Sequence, residues 1–281
     1  MKKALVLYSG GLDSRLVVHL LQEQGFKVEA LYFDLPFGCG CCNLSCNFNF
    51  TQREEVKMTI FDVKKKPLLT EYLKLIKNPK HGTGKGINPC KDCKIFMFKK
   101  AKEYVDKNKI EIIATGEVLG QRPMSQTARA MKIIDKEIGF KITRPLMELG
   151  ISGRGRKKQI ELAKKFKIKY PSPAGGCFLC EMSSAKRLKK LLEKNLITEE
   201  TLPLTMVGRH FYIEDVWFVV ARNAEECDII DKFKNILEGG KGMPTVYFSK
   251  VKGKTNARKL QEAYSTGENE ELRKKFEKVK L

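Results

Sequence analysis

Five apolar residues, Ala4-Leu5-Val6-Leu7-Tyr8, run straight into Ser9-Gly10-Gly11-Leu12-Asp13-Ser14, and an amphipathic segment from 15 to 24 follows. This is a strand, a glycine turn and a helix, the opening of a layered α/β fold. The turn offers backbone N–H groups and a helix N-terminus, where phosphate binds. Two adjacent glycines let the main chain approach a ligand and take positive φ. Ser9 and Ser14 add hydroxyl donors. Asp13 stands apart, because a carboxylate beside phosphate is repelled unless a cation bridges them. It reads as a Mg²⁺- or pyrophosphate-organising residue. The plainer reading is a β-to-α turn with Asp or Ser as the helix cap. A second glycine cluster, Gly82-Thr83-Gly84-Lys85-Gly86, is no Walker A loop. Its Lys is not followed by Ser or Thr, and Pro79 stands where the first Gly should be.

Periodicity extends the pattern. Segments 28–34, 57–63 and 110–115 read as strands, with 141–144 as a fifth. Segments 67–76, 90–107, 125–138 and 152–166 read as helices, with Ser125 as a cap. Residues 36–50 read as an irregular Cys- and Asn-rich loop. The expected fold class is α/β, a parallel sheet covered by helices, followed by a smaller C-terminal α+β domain. Ligands in such sheets bind at the carboxyl ends of the strands, where the glycine turn, the loop after Asp34 and Gly116 all fall. Breakers from Tyr170 to Gly176 mark a boundary. The expected organisation is a nucleotide domain at 1–172, a linker with a basic helix at 173–198 and a small module at 199–281. In that module 210–213 and 216–220 suggest a hairpin, 223–237 a helix and 245–248 a strand. Trp217 and Cys227 read as core residues.

Charge is unevenly spread. The chain carries a net +21, and residues 1–172 hold 34 Lys and Arg against 17 Asp and Glu. ATP alone does not need that excess, whereas a polyanion such as RNA uses it through counterion release. Lys77, Lys80, Lys85, Arg154, Arg156, Lys157 and Lys158 are candidate backbone contacts, and a solvated basic surface is the alternative. No apolar run approaches a membrane span, and the apolar start is too short for a signal-peptide core. The expectation is a cytoplasmic protein with no membrane partner.

In that reducing setting nine cysteines are not a disulfide framework. Cys90-Lys91-Asp92-Cys93 opens a helix, a position that favours thiolates. Cys177-Phe178-Leu179-Cys180 lies in the breaker region, with 83 residues between the two pairs. A four-thiolate Zn²⁺, a [4Fe–4S] cluster and unmetallated thiols passing a persulfide all remain open. Cys39, Cys41, Cys42 and Cys46 follow the second strand and match no metal pattern.

The string Ser9–Ser14 resembles the PP-loop of the ATP pyrophosphatases, which cleave ATP between its α- and β-phosphates. Asn88-Pro89-Cys90-Lys91-Asp92-Cys93 resembles the NPCxxC segment of the tRNA 2-thiouridylases. Ala174-Gly175-Gly176-Cys177-Phe178-Leu179-Cys180-Glu181 is similar to a downstream stretch of theirs, whose single Cys falls on Cys177. Stretches 115–126 and 151–156 resemble 4-thiouridine-synthetase-like proteins. The resemblance covers roughly 1–182. Residues from Val207 to Glu226 are similar to an RNA-associated (NFACT-R-like) module.

The resemblance implies an adenine nucleotide alpha hydrolase-like domain that binds ATP and Mg²⁺ through Ser9, Gly10, Gly11, Asp13, Ser14, Phe33 and Gly116. It implies an ATP-dependent sulfurtransferase that adenylates a uracil carbonyl of tRNA and replaces it with sulfur, with Asp13, Cys90 and Cys177 in catalysis. A [4Fe–4S] cluster would sit on Cys90, Cys93 and Cys177. The sequence departs from the pattern at Cys180, where the thiouridylases have Gly, so Cys180 stands as an alternative or fourth ligand and Zn²⁺ as the alternative metal. The implied partners are tRNA and a sulfur donor, either a cysteine desulfurase-derived persulfide or inorganic sulfide; a homodimer is allowed. Two rival functions remain. One is a PP-loop ligase acting on a small molecule with a structural zinc. The other is a metal-responsive RNA-binding protein.

Overall fold

The structure, a computed structural model, describes residues 2–38, 44–82, 86–172, 176–267 and 269–281, without the side chains of 44–46 and 48. The chain separates into two compact units, Met1–Met182 and Ser183–Leu281, so the 173–198 segment is divided between them.

The first unit runs β1 (Lys3–Leu7), α1 (Leu12–Glu23), β2 (Lys27–Asp34), α2 (Leu44–Arg53), β3 (Lys57–Asp62), α3 (Leu68–Lys77), α4 (Cys90–Asn108), β4 (Ile112–Thr115), α5 (Ala128–Ile138), α6 (Pro145–Glu148) and α7 (Lys157–Lys165). The strands form a parallel sheet in the order β3-β2-β1-β4. Alternation along β1 builds both faces. Ala4 and Val6 pack with α1, α6 and α7 through Leu16, Val17, Leu146 and Ala163. Leu5 packs on the opposite face with Phe98 and Ala101 of α4 and Ile134 of α5. Each such Leu, removed from water, contributes about 1.5–3 kcal/mol. β1 is paired on both sides, so the glycine turn emerges from the middle of the sheet.

Four expectations for this unit are corrected. Residues 141–144 are not a strand: one parallel bridge joins Thr143 to Ala114, and Pro145 then opens α6, ending the ladder. The helix expected over 125–138 starts at Ala128, because Thr127 rather than Ser125 caps it, its side chain accepting from the Ala130 N–H at 3.2 Å. The 36–50 loop contains α2. Its buried residues Asn47, Phe50 and Thr51 fall at i, i+3 and i+4, a helical stripe that the polar composition hid. The basic helix expected from 152 begins only at Lys157, after Gly153 with φ +81°.

The second unit contains α8 (Met182–Glu193, whose first residue lies at the boundary), β5 (Arg209–Ile213), β6 (Val216–Val220), α9 (Ala224–Ile230), β7 (Ile236–Leu237), β8 (Val246–Phe248), α10 (Lys254–Ala263) and α11 (Glu270–Glu277). Its antiparallel sheet has the order β5-β6-β8-β7. The expected hairpin forms, with Glu214 and Asp215 both at positive φ as a two-residue turn asks. Phe218 and Val220 pack under Leu260 of α10, and Trp217 lies fully buried. The helix expected over 223–237 stops at Ile230, because Ile236 and Leu237 pair with β8 instead. Among the described residues no helix is long and apolar enough to cross a membrane.

Candidate functional site

Gly10 sits in the left-handed region with φ +79°. Ser14 Oγ donates to Gly11 O at 3.0 Å, and Ser9 Oγ lies 3.4 Å from Ser14 Oγ, so the two hydroxyls stand together. Arg15, buried and unassigned from sequence, fastens the turn. Its Nε donates to Gly10 O and its Nη1 to Lys169 O, both at 2.8 Å, and its guanidinium lies 4.6 Å from the Phe50 ring centre. The only sequence signal for it is a charge within the buried stripe of α1. Gly116, just past β4, packs onto the turn: a Cβ built there would lie 2.7 Å from the Asp13 carbonyl carbon. Phe33 stands edge-on to Phe61 with ring centres 5.4 Å apart, packed against the core. Asp13 Oδ2 accepts from Gln121 Nε2 at 2.9 Å, while Oδ1 is buried with no hydrogen-bond partner. An unsatisfied carboxylate oxygen beside a helix N-terminus fits a hard cation such as Mg²⁺.

The two CxxC pairs converge. The N–H groups of Ile87 and Asn88 donate to Leu179 O at 3.1 and 3.0 Å. The Phe178 N–H and Cys177 Sγ both reach Phe37 O at 3.1 Å, anchoring the second pair beyond the carboxyl end of β2. Asp92, buried in the first turn of α4, takes the backbone N–H groups of Lys80 and His81. Cys90 Sγ and Cys180 Sγ lie 3.7 Å apart, and Cys93 Sγ lies 3.4 Å from Tyr72 Oη.

The expectation that the helix start makes Cys90 and Cys93 thiolates is corrected. Cys90 is pushed up by its hydrogen bond to Cys180 and then by burial. Burial pushes Cys93 up to about 12. Cys177 is raised for the same reasons as Cys90. Exposed Cys180 is instead lowered, first by its contacts with the Cys177 and Cys90 sulfurs and last by the Arg122 charge.

Gln121 reaches Asp13 of the glycine turn, and the positive charge of the neighbouring Arg122 works to lower Cys90 and Cys180. A buried ion-pair cluster stands in the same segment. Glu117 is 1% exposed and paired with Lys94 at 3.0 Å and Arg144 at 3.1 Å. Burial works to raise this carboxyl, and the two cations overcome it, leaving it below the usual range. Lys94 follows Cys93 in α4, and Glu117 follows Gly116. Gln121, Arg122 and Glu117 carried no role in the sequence reading, since their meaning depends on contacts far along the chain.

Four thiols are a soft donor set suited by type to Zn²⁺ or an iron–sulfur cluster. Among the described residues no group of three or more His, Cys, Asp or Glu side chains forms a ready metal cage. The Cys90–Cys180 separation alone matches a tetrahedral edge, about 3.8 Å for Zn–S bonds of about 2.3 Å. Cys39, Cys41 and Cys42 lie outside the described residues, as does the Cys46 side chain.

Arg154, Lys157 and Lys158 are exposed, and Arg156 half-buried. This basic stretch adjoins the 117–122 segment, because the Gly153 N–H donates to Leu119 O at 2.7 Å. Lys80 is paired with Glu137 at 2.8 Å, and Lys85 lies outside the described residues. In the second unit His210 has partners not visible in sequence: Trp217 Nε1 donates to its Nδ1 at 3.0 Å, and its Nε2 lies 2.8 Å from Val207 O.

A probable tRNA sulfurtransferase from Thermoanaerobacter sp. (strain X514) is 28% identical over 213 residues, covering 71% of this chain and 50% of the relative. A tRNA sulfurtransferase from Blochmanniella pennsylvanica (strain BPEN) is 27% identical over 227 residues, covering 76% and 43%. The chain thus spans about half the length of the curated relatives it matches. A solved 4-thiouridine synthetase–RNA complex with bound ATP is similar at a TM-score of 0.48 and 22% identity, covering 73% of this chain and 52% of that one. Residues 1–172 match the family described as "Thiamine biosynthesis protein (ThiI)". That span holds the glycine turn, the first CxxC pair and the Glu117–Arg122 segment, and the chain belongs to the ThiI family.

Proposed function

We propose that this chain is an ATP-dependent tRNA sulfurtransferase. The observation that carries the reading is the convergence of the two CxxC pairs in the unit whose glycine turn, suited to nucleotide phosphate, holds Asp13 with an unpartnered buried carboxylate oxygen. Family membership and the tRNA sulfurtransferase names of the relatives support the substrate class. A uracil carbonyl oxygen attacks the α-phosphorus of ATP, the bond to the β-phosphate breaks, and pyrophosphate leaves. Backbone N–H groups of 9–14 and the Ser9 and Ser14 hydroxyls receive its charge. Asp13 organises it with Mg²⁺. Hydrosulfide then attacks the ring carbon, a C–S bond forms as the C–O bond to the adenylate breaks, and AMP departs with the former carbonyl oxygen. The base has to leave its stack to react, and Arg154, Arg156, Lys157 and Lys158 are assigned the RNA backbone.

The test uses the purified chain with tRNA, Mg·ATP and sulfide, reading pyrophosphate and thionucleosides by mass spectrometry. Asp13→Ala should cut both by about 10²-fold or more and leave the melting temperature unchanged. ATP cleavage without any thionucleoside would sink the reading.

Cys90, Cys93 and Cys177 are assigned to a [4Fe–4S] cluster, which when bound would supply an iron able to carry the incoming sulfur. Anaerobically prepared protein should then absorb broadly near about 400 nm. Cys90→Ala, Cys93→Ala and Cys177→Ala should abolish the band, while Cys180→Ala retains it. The Cys90–Cys180 spacing favours a second reading, a four-thiolate Zn²⁺. Colourless protein with one zinc per chain would establish that reading and exclude the cluster.

A further inference from the structure

Asn47 is the most unusual polar residue near the glycine turn. It lies in the first turn of α2 and is 0% exposed. Neither its Oδ1 nor its Nδ2 has a hydrogen-bond partner. A buried amide without partners forfeits its hydration and gains nothing in exchange, so such groups are rare unless a ligand or water completes them. Its neighbour gives its direction. A Cβ built on Gly10 would lie 1.8 Å from Asn47 Oδ1 and 2.7 Å from Cγ, so the amide fills the space a side chain at position 10 would take. Gly10 is held from its other polar end by Arg15, whose Nε binds its carbonyl. The amide therefore bears on a fixed point of the turn, just before the N-terminus of the twelve-residue α1. With Oδ1 set against Gly10, the two Nδ2 hydrogens remain to be satisfied, and an anion gathered by a helix N-terminus is an acceptor of the right sign.

We infer that Asn47 is a ligand-binding residue whose amide N–H donates to the diphosphate portion of a nucleoside triphosphate held by the glycine turn. This rests on the ATP-splitting role given to the turn above. Gly10 is then required twice, for its positive φ and to leave the amide its place. Asn47 lies on α2, in the Cys- and Asn-rich 36–50 segment, where sequence alone assigns it no role.

The full chain is titrated calorimetrically in Mg²⁺ with ATP, inorganic pyrophosphate and AMP. Asn47→Ala should weaken ATP and pyrophosphate about tenfold, the worth of one hydrogen bond to a charged group. AMP should change less than twofold. Asn47→Asp keeps the side-chain volume and guards against a packing defect in the alanine variant. It should weaken ATP more than alanine does, because a carboxylate repels phosphate. Equal losses for ATP and AMP, no loss for either, or unfolding of both variants would overturn the inference and leave the ATP reading standing. A wild-type chain that binds neither ATP nor pyrophosphate would overturn both.

Discussion

His210 shows how much of this molecule is decided by single buried polar groups. Its Nδ1 accepts from Trp217, so Nε2 carries the proton and donates to Val207 O, fixing a neutral ring. Burial, with the Arg187 and Arg222 charges, drives its pKa well below 6.5. The unfolded chain therefore binds a proton near that ordinary value, before the folded chain does. The stabilisation from neutral His210 is complete above about pH 6.5 and is lost as pH falls from there towards the folded-state value. The loss is at most about 1.4 kcal/mol per pH unit. Trp217 is the single tryptophan of the chain, so its fluorescence reports on the second unit. Urea unfolding followed by that signal should show wild type losing stability between pH 6.5 and 5.5. His210→Gln, less stable at neutral pH, should show a flatter dependence. Equal slopes would contradict the account.

At the scale of elements, what was legible in the sequence had local causes. Strand, turn and helix from Lys3 to Glu23 are written in a short apolar run, glycines and a helical stripe, all within a few residues of one another. The hairpin of β5 and β6 is equally local. Where neighbours distant in sequence decide, the reading failed. Ile236 and Leu237 continue a helical pattern, yet an open edge on β8 takes them as strand. The α2 helix is masked by Asn and Cys, and only burial of Asn47, Phe50 and Thr51 reveals its face. The site divides the same way. Ser9 to Ser14 and both CxxC pairs are visible as motifs. The roles of Arg15, Asn47, Glu117, Gln121 and Arg122 exist only through partners up to 154 residues away. The lowered thiol is Cys180 rather than one at the start of α4 for that reason too. Two sulfurs, of Cys177 and Cys90, and the Arg122 charge act on it.

For the whole molecule, charge follows the division into units. Residues 1–182 hold 34 Lys and Arg against 18 Asp and Glu, and 183–281 hold 20 against 15. A polyanion bound by the first unit releases counterions, so tRNA affinity should fall steeply between 50 and 200 mM salt, as about 0.7–0.9 log units per log unit of salt for each phosphate contacted. Filter binding measures it. Replacing exposed Arg154, Lys157 and Lys158 together by Glu should lower affinity and flatten the salt slope, with ATP binding unchanged. A salt-independent affinity would remove RNA from the role of partner.

Gly116 also limits how a lineage carrying this chain can vary. Every codon change that alters this residue adds at least a Cβ, which would press on the Asp13 and Ser14 backbone at 2.7–2.9 Å. Such a variant has first to displace the turn that begins α1, and no flexible side chain is there to give way. The ends of β1 and β4 can therefore drift only together, by paired substitutions, and this spot should accumulate change more slowly than the exposed basic stretch beside it.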